Sequence, residues 1–507
     1  MRNADLKADG LEIGSAAIED RAGSVSDGSD NDPSLTLSAP VARSVPGGYA
    51  ELLRLATPLI ISQSFMTVQV LADTLLLARH NTDEMTASFP AVMWYWLAFG
   101  LLQVTAGYTS TFVAQYTGAK RDNRVGPAVW QGVYFAAFAG MAFLLMVPAA
   151  PSLIALGEHS QELQRLEVIY LQCLSYAALP MLLMSAVNGF FSGRGETWTV
   201  LGIEVFGTAV NIGLALLLIF GRWGFPELGI AGAGYATAIG SWGSALLAFA
   251  LFFRKKFRVA FDTMAGWKFE RELFGRLMKY GGPAGIQVFL DVVVFSFFVQ
   301  YVGRLSDAAL GATTLAVRFN MIAFLPMMGL GQAICILVGQ RLGADRPEIA
   351  EKSAYSGLHL VFGYMCVVAA TYLLIPGLLT AGFEPEKDAD KFAAIAAIVP
   401  SLLICVAIYS LTDAVNVAFA FALRGAGDTR YVTWLTFCIA WPVMVLPTII
   451  VVTYRAELQA RFPGMGDPVY WAWSFATLHI MVMSICFWRR FRHGKWKSMR
   501  VIEPAPV

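Results

Sequence analysis

Apolar runs long enough to cross a lipid bilayer recur along nearly the whole chain, from about Ala50 to Trp488. A helix needs roughly 20 apolar residues to cross the hydrocarbon core of a membrane. Of the 507 residues, 57% are hydrophobic and only 14% are charged, which excludes an ordinary soluble globular domain. The sequence therefore predicts an all-α membrane protein that is surrounded mainly by lipid.

Charged residues, glycines and prolines divide this apolar stretch into about twelve predicted membrane spans. The first 48 residues are rich in Ser, Asp, Gly and Ala and contain no apolar run, so we expect 1–48 to form a disordered tail and not a signal peptide. The predicted spans are 49–78, 84–117, 126–156, 162–192, 197–221, 228–254, 273–303, 307–342, 350–381, 390–423, 430–454 and 469–491.

Lysine and arginine are concentrated in the connections that follow even-numbered spans. Basic clusters occur at 120–124, at 254–258 and at 489–500. By the positive-inside rule, both termini, the loop 254–272 and the basic tail 492–507 face the cytoplasm. We therefore expect a multi-pass protein of the inner, cytoplasmic membrane.

The two halves of the chain resemble each other in sequence. Residues 113–121 (VAQYTGAKR) lie over residues 338–346 (VGQRLGADR) at an offset of 225, and GRGET at 193–197 matches GAGDT at 425–429 at an offset of 232. Six spans per copy keep both copies in the same orientation, so they are related by a pseudo-two-fold axis along the membrane normal.

This repeat predicts two homologous six-helix lobes, an N-lobe at 49–253 and a C-lobe at 273–491. Such a plan is typical of transporters that bind their substrate in a cavity between the lobes. The alternative is a gene duplication in a structural or receptor membrane protein.

Five ionisable side chains lie deep inside predicted spans, where a charge is costly and each is a candidate functional residue. A buried carboxyl can take up and release a proton near neutral pH, or hold Na⁺ together with carbonyl and amide oxygens. The alternative is a carboxylate that is paired with Arg or Lys for packing alone. The five residues are Asp73, Glu204, Asp291, Arg318 and Asp413.

Three of the acids share a helical face with polar neighbours one turn away. Such polar stripes line water-filled cavities, and a tyrosine in one of them offers its ring face to an organic cation. We predict that the three acids couple transport to an ion and that their neighbours bind substrate. The sets are Gln69 with Asp73, Gln287 with Asp291, and Tyr409 and Asn416 with Asp413.

The coupling ion is H⁺ or Na⁺, and Asp291 and Asp413 are the expected metal ligands if it is Na⁺. Arg318 is expected to neutralise one of these two acids, with contact to an anionic group of the substrate as the alternative. Glu204 is left as a residue that pairs with or tunes the others.

Several other functions find no support in the sequence. The six cysteines are single and form no CxxC pair, which argues against disulfides and against a metal site. The Gly-rich turns lack the Lys-Ser/Thr of a phosphate-binding P-loop. We therefore expect no cofactor, no enzymatic activity and no nucleic-acid partner, and the energy for uphill transport comes from an ion gradient.

Several motifs resemble the multidrug and toxic compound extrusion (MATE) family, and in particular its NorM-type bacterial branch. The resemblance covers about residues 50–492. The motifs are ATP at 56–58, ADTLLLAR at 72–79, Q-x-x-G-A at 115–119 and 340–344, PELGIAGAGYATAI at 226–239, and IYSLTDAVNVAFAFALRGAGDT at 408–429.

The resemblance implies functional roles for three of the acids and for one asparagine. Asp73 matches the acid of the family's V/A-D-T motif, a protonation and cation-linked site. Asp291 follows Pro283 by eight residues, where the NorM branch usually carries Glu, and Asp413 matches the helix-10 acid. An Asn in helix 5 of the family matches Asn211.

The family resemblance also implies a function and a mechanism. A monomer would exchange H⁺ or Na⁺ for a cationic, amphipathic drug by rocking-bundle alternating access, through a cleft between the lobes. The alternative is a flippase or exporter of a polar or lipid-linked metabolite in the same superfamily.

Overall fold

Long apolar helices account for most of the computed structural model, which describes residues 45–157, 159–381, 389–462, 464 and 466–504. These residues fall within one compact unit and contain no β-strand. The membrane-spanning helices are α1 (Tyr49–His80), α2 (Thr82–Gly118), α3 (Asp122–Phe143 and Met146–Gly157), α4 (Gln161–Gly193), α5 (Thr197–Phe220), α6 (Ile230–Phe252), α7 (Arg271–Gly303), α8 (Asp307–Gly343), α9 (Pro347–Leu374), α10 (Ala389–Ala426), α11 (Thr429–Thr453) and α12 (Pro468–Arg492).

Short helices join or follow several of these spans. They are Lys255–Ala260, Pro376–Ala381 and Arg455–Arg461, with single 3₁₀ turns at Arg222–Gly224, Ala265–Trp267 and Lys495–Ser498.

The predicted fold class, an all-helical membrane protein of about twelve spans, is confirmed. Among the described residues, eleven helices are long and apolar enough to cross a bilayer, and α3 is the twelfth if its two bent segments form one span. The bend of 49° in α3 was not predicted. Its physical cause is Pro148, because proline has no N–H for the carbonyl of Leu144 and its ring clashes with that carbonyl.

Helices α1 and α7 each pack against both halves of the chain, which we call the N-half (α1–α6) and the C-half (α7–α12). At the start of α1, Leu52 and Leu59 belong to a core of C-half residues, whereas Leu77 near its other end packs in the N-half core. In α7 the order is reversed, with Leu273 in the N-half core and Phe298 in a C-half core. The two helices that carry Asp73 and Asp291 therefore cross between the halves.

Two repeat-related glutamines join the halves by hydrogen bonds to main-chain carbonyls. Gln115 Nε2 of α2 donates to the Gly425 carbonyl at 3.0 Å, and Gln340 Nε2 of α8 donates to the Gly193 carbonyl at 2.8 Å. Both donors come from the repeated Q-x-x-G-A motif and both acceptors from the repeated Gly-rich turns. We call this reciprocal pair of contacts the glutamine clamp.

The clamp lies at the end of the bundle that carries most of the lysines and arginines, which we call the basic end. A cavity of about 1580 Å³ at this end is lined by residues of both halves. Its basic lining residues are Lys120, Arg121, Arg124, Arg194, Arg276, Arg341, Arg346 and Arg500.

The C-terminal segment, predicted as a basic tail at 492–507, packs against the basic end as far as residue 504. Trp496 is fully buried and stacks on Phe491 with ring centroids 4.5 Å apart. The Val501 amide donates to Gln115 Oε1 at 2.8 Å, and Arg500 donates to Asp345 at 2.9 Å. The segment therefore contacts both halves beside the glutamine clamp.

The chain termini lie largely outside the described residues. Residues 1–44 of the predicted disordered tail, 1–48, and residues 505–507 belong to this part. The four described tail residues are partly packed, because Ser356 donates to the Gly47 carbonyl at 2.8 Å. The packed chain thus begins a few residues before the predicted boundary.

Glu503 anchors the C-terminal segment through its carboxylate. Oε2 accepts a hydrogen bond from Tyr116 at 2.6 Å, and Oε1 accepts from Arg121 and from Arg124. Burial favours the neutral acid, but the Tyr116 hydroxyl and the two guanidinium groups outweigh it and hold the pKa of Glu503 below its usual range. The carboxylate is charged at neutral pH.

Glu503→Gln is expected to loosen this segment. A lowered pKa means that the anchoring is complete above the ordinary glutamate pKa of about 4.3 and is lost as pH falls through the lowered value. The neutral amide removes the same charge at pH 7, at a cost of about 1 kcal/mol for partly exposed pairs. We expect about fivefold faster hydrogen–deuterium exchange of residues 499–504. Glu348→Gln on exposed α9 surface is the matched control, and equal exchange in both variants would refute the anchoring role.

Candidate ion-coupling site

Asp73 lies in a polar pocket formed by α1, α4, α5 and α6. Its side chain is 8% exposed, and the carboxylate lies beside the Asn211 amide of α5 and near Tyr170 of α4. Asn211 Nδ2 donates to Thr237 Oγ1 at 3.1 Å, and that hydroxyl donates to the Ala233 carbonyl at 3.1 Å. The threonine therefore acts as an acceptor toward Asn211 and fixes the orientation of the amide.

Two acceptor oxygens in this pocket lack a hydrogen-bond donor in the described structure. Asp73 Oδ1 and Asn211 Oδ1 are both buried, and neither has a hydrogen-bond partner within the described part of the chain. A buried acceptor without a donor is costly. A proton on the carboxyl would supply a donor, and a small cation would supply a positive charge for both oxygens.

Asp413 lies in a second polar pocket, on α10. Its side chain is 8% exposed, and Oδ1 accepts a hydrogen bond from Asn416 Nδ2 at 2.9 Å. The Tyr409 ring, one turn before it, stacks on Trp473 of α12 with centroids 6.4 Å apart. The predicted neighbours of Asp413 are thus in place, and Asn416 Oδ1 has no hydrogen-bond partner among the side chains and main chain that are described.

Asp291 on α7 faces the same part of α10. Its side chain is exposed. The Asp291 carboxylate is repelled by Asp413 and attracted by Arg424. Gln287, one turn before, is buried and accepts a hydrogen bond from Arg424 Nη2 at 2.8 Å. Asp291 and Asp413 therefore belong to one electrostatic group, whereas Asp73 belongs to another.

The chemistry of the two groups suits a proton or a hard cation. Carboxylate and amide oxygens are ligands that Na⁺ shares with other hard cations. Within the described ranges, no three His, Cys, Asp or Glu side chains come together as a metal cluster. A Na⁺ ion at Asp291 and Asp413 would therefore need amide or main-chain oxygens as further ligands.

The remaining candidates do not join either group. Gln69 is half-buried on α1, one turn before Asp73. Glu204 of α5 is half-buried and accepts from Asn188 of α4 at 3.4 Å. Arg318 is exposed and lines a cavity of about 460 Å³ near the start of α8 together with Asp307.

The structure does not bring Arg318 to Asp291 or Asp413, the acids that it was expected to neutralise. In the described residues Arg318 lies with Asp307 at the small cavity near the start of α8, and the guanidinium that acts on Asp291 belongs to Arg424. The sequence contained a signal for this residue, because Arg424 is an ionisable side chain at the end of an apolar run. The predicted tenth span ended at residue 423, three residues before the helix ends at Ala426, so Arg424 was counted with the turn.

Comparison with known proteins identifies the family. A family model described as MatE matches the chain twice, over residues 58–217 and 283–450. The matches begin at Pro58 and Pro283, which are separated by the offset of the sequence repeat. Among curated proteins, the probable multidrug resistance protein NorM of Shewanella oneidensis is 26% identical over 84% of this chain and 91% of its own length. The multidrug resistance protein PmpM of Pseudomonas aeruginosa is 28% identical over 82% and 85%.

Solved structures share the fold at lower sequence identity. A multidrug resistance MATE family transporter of the MOP superfamily in an outward-facing conformation has a TM-score of 0.79 and 19% identity, over 89% of this chain and 97% of that one. A MOP superfamily transporter from Pyrococcus furiosus has a TM-score of 0.78 and 20% identity over the same shares. The two matches to the MatE model and the NorM relatives confirm the resemblance of the motifs, and the chain belongs to the multidrug and toxic compound extrusion family as a NorM-type transporter.

Proposed function

We propose that this protein is a secondary antiporter that exports cationic, amphipathic drugs and other toxic organic compounds in exchange for H⁺ or Na⁺. The observation that carries the proposal is the set of three acids inside the membrane spans, Asp73, Asp291 and Asp413, two of which are buried with unpartnered acceptor oxygens beside them. The names of the NorM and PmpM relatives support drugs as the substrate class.

The proposed cycle alternates between two arrangements of the halves. The glutamine clamp and the packed C-terminal segment close the basic end, which we assign to the cytoplasm by the positive-inside rule. The cleft then opens to the opposite side, where an incoming cation reaches Asp291. Cation binding neutralises the acids that hold the positively charged drug, so the drug is released. The two halves then rock against each other and expose the site to the cytoplasm.

Substrate binding is assigned to the polar and aromatic side chains near the acids. Tyr409 presents a ring face that suits an organic cation, and Asn416, Gln287 and Gln69 offer hydrogen bonds. Asn211 contributes beside Asp73. We place the protein in the inner membrane as a monomer with both termini in the cytoplasm.

The test is ethidium efflux from vesicles that contain the protein, with the proton gradient and the Na⁺ gradient collapsed separately. We expect one of the two collapses to stop efflux, which names the coupling ion. Export that continues without either gradient contradicts antiport. Failure to move several organic cations under any gradient would favour the alternative, export or flipping of a polar or lipid-linked metabolite.

A further inference from the structure

The end of α10 touches both the cation site and the contact between the halves. At this point the Arg424 side chain reaches the polar group around Asp291, while the main chain of Arg424 and Gly425 meets the N-half. The family motifs mark this turn only as a helix end.

The guanidinium of Arg424 is held loosely beside Asp291. Nη2 donates to Gln287 Oε1 at 2.8 Å, and the Phe421 ring lies 5.0 Å from the guanidinium carbon. Nε is buried and has no hydrogen-bond partner in the described part of the chain. Arg424 and Asp291 attract each other electrostatically. Because the Arg424 side chain has one hydrogen bond, to Gln287, and an unpartnered Nε, it is able to move when the charge on Asp291 changes.

The main chain at the same residues holds the halves together. The Tyr108 hydroxyl of α2 donates to the Arg424 carbonyl at 2.7 Å, and Gln115 of the clamp donates to the Gly425 carbonyl at 3.0 Å. Both donors belong to the N-half. A shift of this end of α10 that follows the Arg424 side chain therefore changes two hydrogen bonds that close the basic end.

We propose that Arg424 is the positioning residue that couples the cation site to closure of the basic end. Its guanidinium balances the charge of Asp291 when no cation is bound. Its main chain lies in the lock between the halves, by which we mean the hydrogen bonds that Tyr108 and Gln115 donate to the Arg424 and Gly425 carbonyls. This inference rests on the proposed antiport and deepens it. It names the residue through which the ion acts on the conformation.

Cation binding changes the balance of charge around Arg424. The charged and titratable groups that face it are Asp291, Tyr108 and Cys335, and Asp413 faces Asp291 from α10. A proton or Na⁺ on Asp291 removes the attraction that holds the guanidinium, and Na⁺ also repels it. The displaced side chain loosens the Tyr108 and Gln115 bonds, so the loaded carrier opens at the basic end. By linkage, opening of that end weakens the hold of Arg424 on Asp291 and favours the bound cation.

The test measures how the basic end responds to the cation in the full-length protein in lipid nanodiscs. Hydrogen–deuterium exchange of residues 113–121 and 423–429 is followed during titration with H⁺ and with Na⁺. Exchange is expressed relative to the intrinsic rate of the unprotected amide at each pH, and for the wild type we expect this relative exchange to rise severalfold with one of the two ions. In Arg424→Gln we expect fast exchange at all concentrations and no response to the ion, since the guanidinium that transmits it is gone.

Two further variants separate this role from a general loss of structure. Arg430→Gln, an exposed arginine six residues later on α11, is the matched control and should respond like the wild type. Tyr108→Phe keeps Arg424 and removes one of the two hydrogen bonds that close the basic end, so exchange should start higher and half-maximal response should need less cation.

The outcomes distinguish this inference from the proposed function. A wild-type ion response in Arg424→Gln would overturn the coupling role and leave antiport standing. A wild type that neither responds to H⁺ or Na⁺ nor exports ethidium under any gradient would overturn both, because there would then be no ion signal to transmit. An unchanged ion requirement in Tyr108→Phe, with faster exchange, would overturn the link between lock and site.

Discussion

Asp413→Asn is expected to reduce drug export against a gradient strongly while leaving the protein folded. The amide has the shape of the carboxylate, and its oxygen can still accept the hydrogen bond from Asn416, which is 2.9 Å long in the wild type. The substituted side chain carries no charge and takes up no proton. A coupling free energy of about 1–3 kcal/mol between ion and drug corresponds to a loss of about 5–150-fold in ion-driven efflux.

The measurement is ethidium accumulation in vesicles with an imposed ion gradient, next to size-exclusion chromatography as a check of folding. Asp83→Asn, on an exposed acid at the start of α2, is the matched control because it makes the same chemical change outside both polar groups. We expect the control to transport like the wild type. Uphill efflux at the wild-type rate by Asp413→Asn would remove Asp413 from the coupling set.

The separation of the acids into two groups affects how such variants combine. Asp291 and Asp413 share one electrostatic environment, whereas Asp73 lies beside Asn211 in another. Substitutions at neighbouring sites are not additive, whereas those at distant sites with no shared partner are nearly so. Asp291→Asn should therefore add little to the defect of Asp413→Asn.

Much of the fold was predictable from the sequence because lipid imposes a simple rule. Each span must satisfy its main-chain hydrogen bonds within one long apolar helix, so span number and type follow from hydropathy. The polar residues next to Asp413 were predictable for the same reason, since helical spacing fixes which side chains share a face. Asn416 confirms this with a direct hydrogen bond.

Features that depend on contacts between distant segments were not predictable. The crossing of α1 and α7 between the halves depends on shape complementarity, which hydropathy does not record. Arg318 was expected to neutralise Asp291 or Asp413 because it lies inside a predicted span, but packing places the guanidinium of Arg424 near Asp291 instead. The C-terminal segment looked like a charged tail, yet Trp496, Val501 and Ile502 are buried because the basic end offers them an apolar surface.

The repeat-related glycines Gly118 and Gly343 allow the halves to approach at the glutamine clamp. A Cβ on Gly343 would lie 2.0 Å from the Gln115 carbonyl oxygen, and a Cβ on Gly118 would lie 1.9 Å from the Gln340 carbonyl oxygen. Both contacts are to helix main chain, which cannot rotate out of the way. Each glycine thus leaves room for the main chain of the glutamine in the opposite half. The two contacts are equivalent, as expected of a contact with two-fold symmetry.

Gly343→Ala is therefore expected to open the basic end. Overpacking costs typically about 1–3 kcal/mol, which shifts the ratio of closed to open states by about 5–150-fold. Exchange of residues 113–121 and 338–346 should rise together, because one clash separates both partners of the clamp. Export should fall, since a carrier that stays open at the basic end no longer returns to accept ions.

The matched control is Gly363→Ala in α9, where an added Cβ meets no atom within 4 Å. This change should leave exchange and export unaltered or stabilise the helix slightly. Because the contact is reciprocal, Gly118→Ala should reproduce the defect of Gly343→Ala, and the double variant should add little once the ends have separated. If the two single variants behave differently, the two contacts of the clamp differ in energy. The structural reason is then the hydrogen bond from Val501 to Gln115, which has no counterpart at Gln340 in the described residues. If Gly343→Ala matches its control in both measurements, the close approach of α2 and α8 is not what holds the basic end closed.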